Sequence, residues 1–332
     1  MSLIAERTGG KSFKARKYCL DNIQDTSYED EPEFGVHWKK KAENRLFNKY
    51  ISLKKLYEKI IVDQKSLLTY FLDGSRSTFR VDDITYTGSG GRKVIYPIVA
   101  GQIGVACTKR IEKKLSCENF NQEFVIAMPD IANADGKAGF FPALVQKINE
   151  INTIKNFKIQ FSSILPYKTA QGIETKFEDR AIACIQDRMI KAEKEMVNEL
   201  VRKRKLDQDN YLVKDGSIEY RASQQELKDK RKYQTQKNNY AWVLGVSKKF
   251  NPALCIDVNG KSNPGFIADL PLFHRTPAAY FENYDLFGEI TFAFWYVRIR
   301  DRKIDTPFDG IVKVLILGGV IIYIPYILLN YL

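Results

Sequence analysis

Apolar positions change their period several times along this chain. Over residues 37–63, Leu46, Tyr50, Leu53, Leu56 and Ile60 recur at three- and four-residue intervals. That is the period of an amphipathic helix, here with a lysine-rich outer face. Residues 1–36, ahead of it, are polar and mixed in charge and read as an arm or loosely packed extension. The texture then becomes rich in Val, Ile, Tyr and Phe over 67–72, 92–108 and 123–128, with Gly-Ser-Gly-Gly at 88–91 as a turn between the first two. Successive strands joined by short turns predict an antiparallel β-meander. "GFFPALVQKINEINT" predicts a helix, "FKIQFSSIL" a strand, and residues 176–205 a long helix; a short strand, 211–213, follows and ends at Asp215. "YAWVLGVSKKF" (240–250) and "EITFAFWYVRIR" (289–300) predict strands in a β-rich C-terminal part, while "QQELKDKRKYQTQKNN" reads as a mobile polar loop.

The last segment, "IVKVLILGGVIIYIPYILLNYL" (311–332), is almost wholly apolar and long enough to cross a bilayer. Three readings stand: a membrane anchor, a buried strand followed by a tail that packs on a partner, or an end altered relative to its relatives. The chain divides accordingly into an N-terminal arm and amphipathic helix (1–63), a mixed α/β domain (64–310) and an apolar tail (311–332).

Composition adds a charge bias. With 52 Lys and Arg against 40 Asp and Glu, the formal net charge is +12, which favours anionic partners, nucleic acid before membrane surface. Cys19, Cys107, Cys117, Cys184 and Cys255 are scattered without a C-x-x-C pair, and His37 and His274 are the only histidines. Standard zinc spacing is therefore not met. The N-terminal "MSLIAERTGGKSFKARKY" has no apolar h-region, so the expectation is a cytoplasmic protein with reduced thiols.

Candidate chemistry lies in the acids. "FLDGS" places Asp73-Gly74-Ser75 after one apolar run, and "VKDGS" places Asp215-Gly216-Ser217 after another. Asp-Gly is commonly a turn. Two carboxylates at the ends of central strands, however, present hard oxygens suited to Mg²⁺ or Mn²⁺, and two such ions can bracket a scissile phosphate. A third acid comes from the long helix. Glu193 has Met189, Ile190, Met196 and Val197 at i−4, i−3, i+3 and i+4, an apolar face on which a carboxylate needs a reason. Glu178 ranks second, and Glu199 has the charged neighbours of a solvated face.

"FLDGSRSTFRVDD", "RMIKAEKEMVNEL", "YLVKDGSIEY" and "WVLGVSKKF", in this order, resemble the NurA nuclease family, over about residues 67–300. The resemblance implies an α/β fold with a ribonuclease H-like core: a mixed sheet opening with an antiparallel meander, flanked by helices. It implies a Mn²⁺- or Mg²⁺-dependent DNA nuclease, a homodimer, and a HerA-type hexameric ATPase as partner, in DNA end processing or antiviral defence. By position, Asp73 matches the first metal-binding aspartate, Glu193 the helical glutamate and Asp215 the aspartate of the later strand. Lys248 in "GVSKK" falls where the family often has a lysine near the site; Arg76, Lys248 and Lys249 are the candidates for DNA contact. The family's C-terminal histidine has no counterpart after His274. A non-catalytic DNA-binding or ATPase-docking subunit, and a membrane-anchored basic protein, are the alternatives.

Overall fold

A computed structural model describes residues 1–13, 18–19, 49–54, 66–87, 91–170, 176–218, 229–255, 261–285, 288–301 and 306–317. The chain separates into two units that interleave in sequence. The first comprises Met1–Asp25, Gly74–Ala106 and Asn119–Met196; the second comprises Thr26–Asp73, Cys107–Glu118 and Val197–Leu332.

The elements in chain order are α1 (Ser2–Thr8), β1 (Lys11–Phe13), β2 (Tyr18–Cys19), β3 (Ile51–Ser52), β4 (Leu68–Thr87), β5 (Lys93–Ile111), β6 (Lys114–Pro129), α2 (Phe140–Asn149), α3 (Asn152–Asn156), β7 (Phe161–Tyr167) and α4 (Phe177–Arg202). There follow β8 (Tyr211–Asp215), α5 (Lys230–Asn239), β9 (Val243–Ser247), α6 (Pro264–Ala268), β10 (His274–Arg275), β11 (Ala279–Asp285), β12 (Gly288–Arg298) and β13 (Ile311–Leu317).

In the first unit, β4, β5, β6 and β7 are neighbours in that order, with β7 parallel to β6. β1 and β2 pair antiparallel with the later part of β4. Helix α4 buries the stripe Ala181, Ile185, Met189, Ala192 and Met196, spaced by three or four residues. Its approach to the strands is set by a glycine. A Cβ at Gly101 of β5 would lie 2.7 Å from Ile185 Cγ2, so only a residue without a side chain fits beneath that turn of the helix. Glu178 and Asp179 in the first turn and Arg202 in the last complement the helix dipole.

In the second unit the neighbours run β3-β10-β12-β13-β9-β8-β4, with the hairpin ends of β5 and β6 beyond β4. β8 is parallel to β4 and β9 is parallel to β8, whereas β13 is antiparallel to both β9 and β12. Glu112, at φ 55°, makes the tight turn from β5 into β6. Leu68, Tyr211, Leu244, Trp295, Val297, Val314 and Ile316 form the core here. Each fully buried aliphatic side chain of this kind contributes about 1.5–3 kcal/mol.

Several sequence expectations change. Asp73-Gly74-Ser75 is not a turn: β4 runs through it to Thr87, 20 residues in all, more than three times the usual length of about five or six. The described residues of the N-terminal arm form α1 and, as β1 and β2, pair with β4. Lys230–Asn239, expected within a mobile loop, is a helix; its polarity is that of a helix whose hydrogen bonds are satisfied internally. Of the expected helix over 37–63, only 49–54 lie within the described residues, and Ile51–Ser52 pair with β10 instead. The first seven residues of the apolar tail form β13, buried at every position, which is the buried-strand reading; 318–332 lie outside the described residues. Among the described residues no helix is long and apolar enough to cross a membrane.

Candidate functional site

Two parallel strands of the second unit carry the acids. Leu68, Tyr70 and Leu72 are buried in β4, and β8 pairs with them up to the register Leu72↔Lys214. Asp73 and Asp215 are the next residue on each strand. Strands of a sheet lie about 4.8 Å apart, and in-register residues of parallel strands project to the same face. The two Asp-Gly-Ser stretches are therefore brought side by side.

β8 ends at Asp215, and Gly216 follows at φ 90°, a left-handed conformation that favours glycine. Its N–H donates to the Val246 carbonyl at 3.0 Å. A Cβ at Gly245 of β9 would come within 2.8 Å of the Gly216 carbonyl oxygen, so glycines at both positions let β9 close on this turn. β9 then delivers Lys248, whose Nζ lies 2.8 Å from Asp215 Oδ2. This hydrogen bond, followed by the charges of Asp215 and Asp73, raises the Lys248 pKa against the opposing effect of desolvation. One ammonium thus answers both carboxylates. Lys214 is buried, and its Nζ donates to the Asp215 carbonyl at 3.1 Å. The sequence alone does not single out Lys214.

In the first unit, Glu193 is 3% exposed, beside the buried Met189, Met196 and Val197. Ile190, expected on the same apolar face, is instead exposed. The Glu193 carboxylate lies against the backbone of β4: a Cβ at Gly74 would be 2.3 Å from its Oε1. The residue bonded to Asp73 is thus a glycine whose missing side chain leaves room for this acid. The rival glutamates have other partners. Glu178 is paired with Arg80 at 2.6 Å and Glu199 with Lys203, just past the end of α4, at 2.6 Å.

Arg76, a candidate for DNA contact, donates from Nε to Gln186 Oε1 at 2.6 Å. Lys249 is exposed beside Lys248. His274 lies in β10, its Nδ1 2.9 Å from the Leu272 carbonyl, and serves the strand pairing rather than the acids. Among the described residues no three His, Cys, Asp or Glu side chains are gathered as a metal-binding group.

The order β6-β5-β4-β8-β9, with a hairpin leading into β6 and β8 and β9 parallel to β4, defines an α/β protein with a ribonuclease H-like core. No family model matches the chain, and no curated protein matches it. Among solved structures the chain is similar to the NurA nuclease from Sulfolobus solfataricus, at 11% identity and a TM-score of 0.40, over 84% of this chain and 77% of that one. The fold class rests on the strand order and not on this likeness.

Proposed function

We propose that the chain is a metal-dependent DNA nuclease hydrolysing phosphodiester bonds, with Asp73 and Asp215 at its centre. The observation that carries this reading is their shared register: two carboxylates one step beyond Leu72↔Lys214, with Lys248 on Asp215. Adjacent carboxylates repel one another unless a cation lies between them. Their oxygens are hard donors that fit Mg²⁺ or Mn²⁺. Asp73 and Asp215, both in the second unit, would hold the ion. Such a cation, when bound, polarises a phosphoryl oxygen and lowers the pKa of a bound water.

Lys248 has the second role. Its ammonium neutralises Asp215 at rest and is long and exposed enough to turn to a substrate phosphate. Contacts to phosphate carry no sequence information, so cleavage should be sequence-tolerant and sensitive to salt. The expected homodimer and HerA-type ATPase belong to this proposal as assay conditions. Cleavage of labelled linear and single-stranded DNA with Mn²⁺, Mg²⁺ or EDTA, with and without such an ATPase, tests it. Metal-dependent cleavage supports the nuclease; none under any condition removes it.

The Lys248–Asp215 ion pair also favours a second reading, a non-catalytic DNA-binding subunit in which the lysine permanently takes the cation's place. Salt-sensitive DNA binding without cleavage is its signature.

A further inference from the structure

Lys248 faces a second feature of the same unit. Beside it lies a pocket of about 420 Å³ between the end of β9 and the turn joining β12 to β13. Its size falls within the range of small-ligand sites, which is about 300–1,000 Å³. Lys248, Lys249 and Arg300 bring three positive charges to its lining against the single negative charge of Asp309, and Phe250 and Phe308 supply aromatic surface.

The pocket wall is built and not incidental. Arg298, 4% exposed, donates to the carbonyls of Ala268 and Pro307 from Nη2, at 2.9 and 3.1 Å, and to that of Asp309 from Nη1 at 2.7 Å. These bonds fix the turn that carries Phe308. Arg300 Nη2 holds Asp309 Oδ1 at 2.9 Å, and Ile299 N–H donates to Gly310 O at 2.9 Å. Gly310, at φ 80°, lets the turn close, since a Cβ there would be 2.3 Å from the Arg300 carbonyl oxygen. Phe308 meets Phe250 edge-on, ring centroids 6.1 Å apart, and is only partly buried. One of its edges or faces remains available to a ligand ring.

We infer that this pocket is a subsite for one nucleotide of a single-stranded DNA, its base against Phe308 and its phosphate between Lys249 and Arg300. The inference rests on the nuclease reading for the identity of the strand. The lining joins cations to aromatic rings: a purely apolar ligand uses only the rings, and a simple anion uses only the cations. A nucleotide uses both, since stacking on an aromatic ring is tolerant of base identity while basic groups track the backbone. Lys248 belongs to both the pocket lining and the Asp215 pair, so a strand crossing the acids continues directly into the pocket.

The test is fluorescence anisotropy of a labelled short oligodeoxythymidylate on the full chain in EDTA, where no cleavage intervenes. Phe308→Ala should weaken binding about tenfold, the lower part of the range for loss of one stacked base, and Phe308→Trp should restore it. Because Phe308→Ala also alters the turn, Lys249→Ala, at an exposed position outside that turn, provides a second arm. It should weaken binding and flatten the slope of log affinity against log salt by roughly 0.7, one phosphate contact's worth on a single strand. Unchanged affinity and slope in Lys249→Ala, or failure of Phe308→Trp to restore binding in a folded protein, would overturn the subsite. Competition by thymidine 5′-monophosphate or inorganic phosphate as complete as by unlabelled oligonucleotide would overturn its assignment to a strand. Wild-type cleavage assayed separately in Mn²⁺ distinguishes the two failures: cleavage with no pocket effect removes the subsite alone, and a pocket effect without cleavage removes the nuclease alone.

Discussion

Asp73 and Asp215 stand on neighbouring parallel strands, each one residue past the last paired position, Leu72 opposite Lys214. The repeated Asp-Gly-Ser therefore has two different structural meanings. At 215 it closes a strand, and Gly216 turns the chain away at positive φ. At 73 it lies inside a strand, and Gly74 is required by what lies above it rather than by a turn.

Gly74→Ala tests that requirement. A methyl group there must displace the Glu193 carboxylate, which approaches to 2.3 Å of its position. The obstructing atoms are the end of a side chain and not backbone, so the cost in stability should stay at about 1 kcal/mol, the low end for added methyl groups in a packed site. Cleavage, by contrast, should fall well below wild type, because Gly74 is bonded to Asp73. Denaturant unfolding and cleavage rates measured on Gly74→Ala and wild type check the dissociation of the two effects.

The Lys248–Asp215 pair should matter little for folding. The lysine side chain is 74% exposed, so solvent screening holds its contribution below about 1 kcal/mol. Its raised pKa fixes the sign: the stabilisation is fully present below the ordinary lysine value of about 10.4 and is lost as pH rises through the higher folded value. Lys248→Ala should accordingly unfold within a small, pH-independent margin of wild type from about pH 6 to 9. DNA affinity should drop in the same variant, and by less at high salt.

Arg298 is the opposite case. It is buried, and its guanidinium serves carbonyls of two chain segments, so Arg298→Met leaves those acceptors without their donor. We expect a loss of about 3 kcal/mol or more, seen as a lower denaturant midpoint at unchanged slope.

Thiol reactivity should divide by burial. Burial, with the Glu118 charge, pushes the Cys107 thiol up to about 12, and burial alone does the same for Cys255. Near pH 8 their thiolate fraction is then roughly a thousandfold below that of an ordinary cysteine. Cys117 is exposed. Mass spectrometry after brief alkylation should find Cys117 modified and Cys107 and Cys255 untouched until denaturant is added. Because the unfolded thiols ionise first, near their ordinary value of about 8.5, stability should decline as pH climbs from there toward 12.

Much of the chain could be read in advance where one pattern dominated. The long helix, the strands at 243–247 and 288–298, and Glu193 as the buried acid all follow from local spacing of apolar residues. What escaped depends on pairing across the sheet. The Lys248–Asp215 contact follows from the β8–β9 register, in which Asp215 meets Val246 two residues before the lysine. β13 was one of three readings of an apolar run that length alone likens to a membrane span, and pairing across the sheet is what selects it, with Lys313 opposite Ser247 and Tyr296. Arg298, inside the predicted strand 289–300, organises a turn through carbonyls that local sequence does not point to.

The most direct measurement of the central claim is a double-mutant cycle on DNA cleavage in Mn²⁺, with Asp73→Ala, Asp215→Ala and the double variant. Residues that hold one ion act as a unit, so each single variant should abolish cleavage to the level of the double. Independent, additive losses, or cleavage that survives Asp73→Ala, would mean that the two aspartates share a register but not a site.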